Sequence, residues 1–340
     1  MTDADPVDGL RPGMRAVVRH RIERGVTDAL GELVTIDPGT VTVRTRRGLE
    51  VIDRIAIVAA KEIPPKPSRR GAPHMAISMD DLERVMVEGW PPVERAELGS
   101  WLLRASEGFT GRANSVLPLG NPGMPLSEAV DFAESWYDER GLRRLFSLFG
   151  PEGFAADDDP LGRELLGRGY QPFSRTVVMT SATRTLPPGV PDAGQRPGAP
   201  VRLESAPSPL WLNAYTDPGW SLSTGERPAI TSTATSTAAR TVLTGSPDQL
   251  FASMESGGAV LGIARVAFAH TWAGLFALRV APEHRRTGVA GQLVGALAEA
   301  TRDRGIRPMY LQVELANSPA LSLFGRLGFS THHEYCYLGA

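Results

Sequence analysis

The sequence repeats one order of predicted elements, and this internal repeat restricts the possible folds more than any other feature. A strand, a loop and a helix run from residue 280 to residue 305, and the segment 116–141 follows the same order 164 residues earlier. This offset pairs Val280 with Val116, and it falls to 159 at the Gly-aromatic pair before the last strand of each copy. Such a repeat indicates a duplicated unit, and its alternating elements predict an α/β (or α+β) class of mixed sheets with flanking helices.

Proline- and glycine-rich stretches separate the two copies from each other and from an N-terminal block, because such sequences favour extended linkers. The N-terminal block holds short β-rich runs between turn signals such as Asp37-Pro38-Gly39, which predicts a small β-barrel of the SH3-like kind. The predicted organisation is a barrel at 8–63, a linker at 64–76, an earlier copy at 77–183, a linker at 184–200 and a later copy at 201–340.

Composition argues against several classes of protein. The formal net charge is -2 and the isoelectric point is near 6.3, so no general attraction to nucleic acid or anionic membrane is expected. Arg44, Arg46 and Arg47 form either a nucleic-acid face or a solvated surface, and the lack of stacking aromatics in this block favours the surface. Cys336 is the only cysteine and residues 1–13 carry no apolar signal core, so a cytoplasmic protein without an intrachain disulfide is expected.

The later copy carries a loop suited to binding an anion. The strand "GLFALRV" ends at Pro282, and a helix with one apolar face is predicted from about Val289. The first amide N–H groups of a helix lack partners and carry a partial positive charge, so phosphate groups bind there readily. Gly288 allows close approach to the backbone, and Arg285 and Arg286 add full positive charges. We call residues 283–288 the anion loop.

The later copy resembles the GCN5-related N-acetyltransferase (GNAT) family, in the tandem actinobacterial form with an N-terminal small β-barrel. The resemblance rests on "VAP", on the Arg-x-x-Gly-x-Ala run that begins at Arg285, and on the segments "LQVELAN" and "ALSLFGRLGF" that follow the helix. It covers the chain from about Leu250 to the C-terminus. It implies transfer of an acetyl group from acetyl-CoA to a primary amine, by direct attack of the amine on the thioester.

The resemblance also implies which residues hold acetyl-CoA, through main-chain pairing with pantetheine, amides around the pyrophosphate and side chains near the thioester. These residues are Leu278, Arg279, Val280, Arg285, Arg286, Thr287, Gly288, Val289, Ala290, Gly291, Asn317, Ala320 and Phe324. No metal is implied. The expected partners are acetyl-CoA and an amine acceptor, either a small molecule or a protein lysine, and no membrane or nucleic acid.

The earlier copy departs from this pattern in its loop, "LGNPGMPLSE". Pro122 and Pro125 have no N–H group, and Asn121, Pro122 and Met124 stand at the positions of the two arginines and the glycine. This loop cannot hold a pyrophosphate in the same way. We interpret the earlier copy as degenerate, and as retained for packing, for a pseudo-twofold interface or for shaping the acceptor pocket.

Three side chains are candidate catalytic groups. Many family members carry a tyrosine where this chain has Phe324, and phenylalanine cannot protonate the departing thiolate. Tyr335 or Tyr337 is therefore the candidate acid, unless the thiolate leaves unassisted. Glu314 is the candidate general base, directly or through water, and a purely structural hydrogen bond is the alternative.

Other reactive side chains in the later copy have structural interpretations. His332 and His333 precede the terminal strand "EYCYL", and adjacent strand residues face opposite ways, so a joint metal site is not expected. Cys336 lies between aromatic residues and is interpreted as a small buried side chain.

The acceptor is expected to contact residues 210–240. An aromatic wall with one acid would suit a cationic acceptor, and simple core packing is the alternative; the side chains concerned are Trp211, Tyr215, Asp217 and Trp220. The polar run at 225–240 predicts a mobile loop. A second class of function also remains open from the sequence: an acyl-CoA-binding or scaffolding protein whose catalysis has lapsed.

Overall fold

The computed structural model describes residues 5–23, 25–45, 48–63, 73–186, 199–220 and 233–340. The strands are β1 (Arg15–Ile22), β2 (Gly25–Ile36), β3 (Thr40–Thr45), β4 (Gly48–Asp53), β5 (Ile57–Glu62), β6 (Glu94–Leu98), β7 (Trp101–Ala105), β8 (Leu145–Gly150), β9 (Gln171–Ala182), β10 (Val201–Glu204), β11 (Asp248–Ser256), β12 (Ala259–Ala269), β13 (Trp272–Val280), β14 (Pro308–Glu314) and β15 (Ser330–Gly339). The α-helices are α1 (Met79–Gly89), α2 (Leu126–Asp138), α3 (Pro160–Gly167), α4 (Pro209–Thr216), α5 (Thr233–Thr244), α6 (Val289–Asp303) and α7 (Ser318–Arg326).

The N-terminal block forms an antiparallel sheet with the order β4-β3-β2-β1-β5. This N-terminal sheet has an apolar core of its own. Val41 and Val43 of β3 both point into it, because alternate residues of a strand share a face. Closure of this sheet into a barrel stays a prediction, since the order begins at β4 and ends at β5. Arg44 pairs with Glu32 at 3.3 Å, and Arg46 and Arg47 lie outside the described residues.

One sheet runs through both copies, with the order β10-β11-β12-β13-β14-β9-β15-β8 in the described part of the chain. The last strands of the copies are exchanged. Strand β9 of the earlier copy pairs with β14 of the later copy, and β15 of the later copy pairs with β8 of the earlier one. The predicted mixed α/β class is confirmed, but the two copies complete each other's sheet.

Helices cover both faces of this sheet. Helix α6 packs on one face of β11–β13, with Leu293 and Leu297 buried against Val266 and Leu275. Helices α1 and α4 pack on the opposite face of β12 and β13, in a core that both copies contribute to. No helix among the described residues is long and apolar enough to cross a membrane.

Helix α5 corrects the expectation of a mobile loop over 225–240 for the second half of that run, residues 233–240. Its apolar side chains are buried in the core shared by the two copies; they are Ala238, Ala239, Val242 and Leu243. Their spacing of one, three and one residues places them on one helical face, so tertiary packing outweighs the polar composition of the run. Residues 221–232 lie outside the described part of the chain.

The structure also corrects one part of the alignment between the copies. Val116 bridges Phe146, and the offset of 164 places Phe146 on Tyr310. In the later copy the residue paired with Tyr310 is Gly274, so Val116 occupies the position of Gly274 and not that of Val280. The earlier copy therefore lacks the six residues between these two positions (280 minus 274), although its helix and following strand keep the offset.

Candidate active site

The sheet opens between β13 and β14. These parallel strands pair only from Ala273 to Leu275, although both continue further. A bulge follows: Ala277 has φ of 54°, and the pairing with β12 changes register across it. Such bulges redirect a strand and end its pairing. The tail of β13 from Phe276 to Val280 therefore leaves β14 and exposes main-chain groups to the opening.

Helix α6 begins beside this opening with unused donors. Gly288 is its N-cap, with φ of 90°, and Arg286 also has positive φ, at 62°. The amide N–H groups of residues 286–291 have no hydrogen-bond acceptor among the described residues. Six such amides lie at the positive end of a 15-residue helix, where a negative charge would be stabilised, and their binding of an anion stays a prediction.

The two arginines of the anion loop have different surroundings. Arg285 is half-buried, and its guanidinium donates to the carbonyls of Val280 at 3.3 Å and Gly219 at 3.4 Å. Arg286 is exposed. Arg285 thus ties the end of β13 to the loop and occupies the Val280 carbonyl, while Arg286 is free to meet a ligand.

Helix α7 places its predicted residues in two settings. Asn317 caps the helix, and its Oδ1 accepts from the N–H of Ala320 at 3.2 Å. Phe324 is only 5% exposed and packs against Phe329, with ring centroids 5.6 Å apart. The Phe324 ring therefore belongs to the core between α7 and the sheet, and its place near a thioester stays a prediction.

The three candidate catalytic side chains belong to two strands of one sheet, Glu314 to β14 and both tyrosines to β15, and β9 lies between these strands. The hydroxyl of Tyr335 donates to Oε1 of Gln312 at 2.9 Å, which brings this tyrosine to β14 from two strands away. Oε1 of Glu314 accepts from the Ser174 hydroxyl at 3.4 Å, so Glu314 does make a structural hydrogen bond. Burial raises the pKa of Tyr335 and of Tyr337, so both remain protonated at neutral pH.

The two histidines do not face opposite ways, contrary to the sequence expectation. A bulge between β15 and β9 falls at this point, and the Nδ1 atoms of His332 and His333 lie 2.8 Å apart. His333 contacts Glu83 at 3.0 Å, and burial lowers the pKa of His332 to about 4. No group of metal-binding side chains is found among the described residues. Cys336 is buried as predicted, which raises the pKa of its thiol to about 11.

The aromatic residues expected to form an acceptor wall pack into the core instead. Trp211 is 1% exposed and donates through Nε1 to the carbonyls of Ala252 and Ala264. Tyr215 stacks on Trp211 at 5.4 Å, and the guanidinium of Arg279 lies 4.5 Å from the Tyr215 ring centroid. Asp217 is exposed and accepts from the N–H of Gly219, and Trp220 packs at the margin of the core.

Sequence reasoning missed a loop of the earlier copy, residues 106–115. This loop lies over the face of the sheet that α1 and α4 also cover. Its Arg112 approaches Phe276, at the start of the β13 tail, with the guanidinium carbon 5.8 Å from the ring centroid. Within residues 106–115 the sequence shows only a cluster of turn-forming residues, which predicts a loop but not its position. Its position depends on packing between the two copies.

In the earlier copy, the N-terminal segment fills the place that corresponds to the opening. Arg11 donates to the carbonyl of Pro118, and its guanidinium lies 4.2 Å from the ring centroid of Phe149. An ion pair of 3.8 Å joins Arg11 to Asp80. A cavity of about 80 Å³ remains around residues 7–11 and the loop that begins α2. Arg11 therefore occupies part of the place that a ligand would need in the earlier copy.

An opened pair of parallel strands with the N-terminus of a helix beside the opening is the arrangement of the GNAT fold. A family model described as "Probable histone acetyltransferase Rv0428c C-terminal" matches residues 78–338. The chain is 30% identical over 339 residues to "Probable histone acetyltransferase Rv0428c" of Mycobacterium tuberculosis, covering 96% of this chain and 95% of that protein. The chain belongs to the GCN5-related N-acetyltransferase family.

Other relatives agree with this assignment. The "Uncharacterized N-acetyltransferase YobR" of Bacillus subtilis is 28% identical over 271 residues, covering 76% of this chain and 98% of that protein. A GCN5-related N-acetyltransferase from Kribbella flavida has the same fold, with a TM-score of 0.53 at 15% identity over 77% of this chain and 96% of its own. A tandem GNAT protein from the clavulanic acid biosynthesis pathway has a TM-score of 0.50 at 15% identity, covering 77% of this chain and 86% of its own. The relatives' names support acetyl transfer in general and do not favour a lapsed scaffold.

Proposed function

We propose that the later copy transfers an acetyl group from acetyl-CoA to a primary amine. The observation that carries this proposal is the row of six amides without acceptors at residues 286–291, next to the opening between β13 and β14. The amides and Arg286 would hold the pyrophosphate, and main-chain groups of the β13 tail would pair with the pantetheine arm. Leu278 is the first candidate for this pairing, because it has no partner in the β12 register, whereas Arg279 is paired with Ile263.

The reaction that fits this opening is direct acyl transfer. The amine nitrogen would attack the thioester carbon, the carbon–sulfur bond would break, and the thiolate would take up a proton. A main-chain N–H near Val280 would stabilise the oxyanion. Glu314 would accept the amine proton, directly or through water, and Tyr335 would protonate the thiolate, because its hydroxyl reaches β14.

A turnover assay tests the proposal. The protein is incubated with acetyl-CoA and a broad panel of amines, free thiol release is followed, and mass spectrometry identifies the acetylated amine. We expect thiol release to match the amount of acetylated amine formed. Binding of acetyl-CoA without turnover of any amine would support the scaffold alternative, and failure to bind acetyl-CoA would refute both.

One acetyl-CoA should bind per chain. The opening in the earlier copy lacks six residues of strand and loop and contains Arg11, so we expect only the later copy to accept the cofactor. Isothermal calorimetry measures the stoichiometry, and Arg11→Ala provides the control because it removes the guanidinium from the earlier copy. We expect one site in both proteins. Two equivalent sites in the wild-type protein would show that the earlier copy is not degenerate.

Tyr335→Phe should lower kcat on the order of a hundredfold and leave acetyl-CoA affinity nearly unchanged, because it removes the proposed proton donor and keeps the ring. Tyr337→Phe should lower kcat less, because Tyr337 pairs with Phe173 of β9, three residues before Thr176, where the pairing of β9 with β14 ends. Steady-state kinetics and calorimetry with the same preparations separate kcat from affinity. An unchanged kcat for Tyr335→Phe would remove this tyrosine from the mechanism.

A further inference from the structure

The loop at residues 106–115, which we call the anchor loop, is held by a closed set of hydrogen bonds. Oδ1 of Asn114 accepts from the N–H groups of Ser106 at 2.7 Å and Gly108 at 3.0 Å. Its Nδ2 donates to the carbonyls of Phe109 at 2.8 Å and Thr110 at 2.9 Å. One buried amide thus uses both of its acceptor sites and both donors to fix the loop.

Further contacts fix the tip of the anchor loop. The Ser115 hydroxyl donates to the carbonyl of Gly111 at 2.7 Å, and the indole N–H of Trp90 donates to the Thr110 hydroxyl at 3.0 Å. Thr110 has φ of 60°, a conformation that a β-branched residue adopts only when its surroundings enforce it. A Cβ at Gly111 would lie 2.8 Å from the Tyr337 ring, so the loop lies directly on the sheet. This backbone holds the following residue, Arg112, in one place.

Arg112 is half-buried and has no ion-pair partner in the part of the chain that the structure describes. Its guanidinium carbon lies 5.2 Å from the ring centroid of Trp90 and 5.8 Å from that of Phe276. Phe276 immediately precedes the bulge that opens the sheet. The charge of Arg112 therefore lies beside the opening, on the face opposite to α6.

The guanidinium of Arg265 approaches the same two rings as Arg112, at 5.6 Å from the Trp90 centroid and 5.2 Å from the Phe276 centroid, and Glu83 is an acid whose charge also reaches this region. Arg265 is fully buried, and its guanidinium binds only neutral groups, namely Gln249 Oε1, Ser246 Oγ and the carbonyl of Gly89. Tyr215 lies within electrostatic reach of Arg112, Arg265 and Arg279 together. A half-buried guanidinium without an acid loses hydration that the protein does not replace, so the arrangement favours an anionic ligand.

We propose that the acceptor amine carries a carboxylate, which Arg112 binds while the amine lies at the opening beside the β13 tail. This inference rests on the proposed acetyl transfer. The rings of Trp90 and Phe276 flank the guanidinium and leave N–H groups for a planar partner, and a carboxylate matches two parallel N–H donors. The acceptor class is therefore a free amino acid or a similar amino carboxylate. An amine without an anion would leave the Arg112 guanidinium without a counter-charge.

Initial rates with matched acceptors test the proposal. The panel contains glycine, β-alanine and γ-aminobutyrate, the amide of each, O-phosphoethanolamine, and a lysine peptide with blocked termini. We expect kcat/KM for at least one amino acid to exceed that of its amide about tenfold to a hundredfold, the range for a charge-assisted hydrogen-bond pair. Arg112→Gln should bring this ratio close to one without changing the rate for the amide or the affinity for acetyl-CoA. Arg112→Lys should keep part of the preference.

Arg19→Gln is the control, because Arg19 is exposed, pairs with Asp28 and belongs to the N-terminal sheet. Equal rates for amino acids and amides, faster turnover of the phosphorylated amine or the peptide, or equal losses on all acceptors in Arg112→Gln would overturn the carboxylate proposal. Each of those results would leave the proposed acetyl transfer standing. No thiol release with any acceptor would overturn both.

Discussion

Gly288→Pro is expected to lower acetyl-CoA affinity about tenfold to a hundredfold, the loss of one charge-assisted hydrogen bond at about 1.5–3 kcal/mol. Proline removes the amide N–H of residue 288 and fixes φ near -65°, whereas Gly288 has φ of 90°. The helix entrance must therefore change its path, and its neighbouring amides would no longer converge. Calorimetry with acetyl-CoA measures the affinity, and thermal unfolding without ligand reports any loss of stability.

The matched control is Gly123→Pro in the loop of the earlier copy, where φ is 81° and a Cβ would meet only Gly99, at 3.8 Å. This change should disturb a loop of the same kind without affecting acetyl-CoA binding. Arg286→Ala should have a milder effect that shrinks as salt rises, because an exposed charge is screened and its amide remains. Wild-type affinity in a folded Gly288→Pro protein would show that this entrance does not hold the phosphates.

The anion loop could be predicted because its determinants are local. Glycine, two arginines and the start of an apolar helical face lie within a few residues of one another, and α6 begins at Val289 as predicted. The alignment of the strand before the loop was wrong by six residues, since the valine and proline that supported it recur at different positions in the strand. Sequence similarity alone did not show that one strand is shortened.

The strand exchange could not be predicted from the sequence. Strands β9 and β15 follow the same helix and the same Gly-aromatic pair in both copies, so the pattern fits pairing within a copy equally well. Whether each of these strands pairs within its own copy or with the other copy is decided by the packing of the complete sheet. The anchor loop is similar, because Arg112 gains its position from Trp90 and Phe276, which lie far from it in sequence.

The later copy expressed alone, as residues 199–340, should not fold into a stable monomer. Strand β15 has both of its neighbours, β8 and β9, in the earlier copy, and β14 has one neighbour there. Removing them would expose main-chain groups along two strands and four buried side chains, Tyr335, Cys336, Tyr337 and Leu338. Burial stabilises the fold by about 1.5–3 kcal/mol for each side chain, so exposing all four would lower the free energy of unfolding by about 6–12 kcal/mol. This loss is comparable to the whole stability of a typical domain.

Co-expression of residues 1–192 with 193–340 is the control, because it breaks the chain between the copies and keeps every strand of the shared sheet. We expect this pair to co-purify, to unfold in one cooperative thermal transition and to bind acetyl-CoA, and we expect residues 199–340 alone to do none of these. Circular dichroism and calorimetry provide the readouts. If residues 199–340 alone unfold cooperatively as a monomer and bind acetyl-CoA, the exchange does not stabilise the site. If they behave as expected, the earlier copy is required because it supplies β9, the strand on which both β14 and β15 depend.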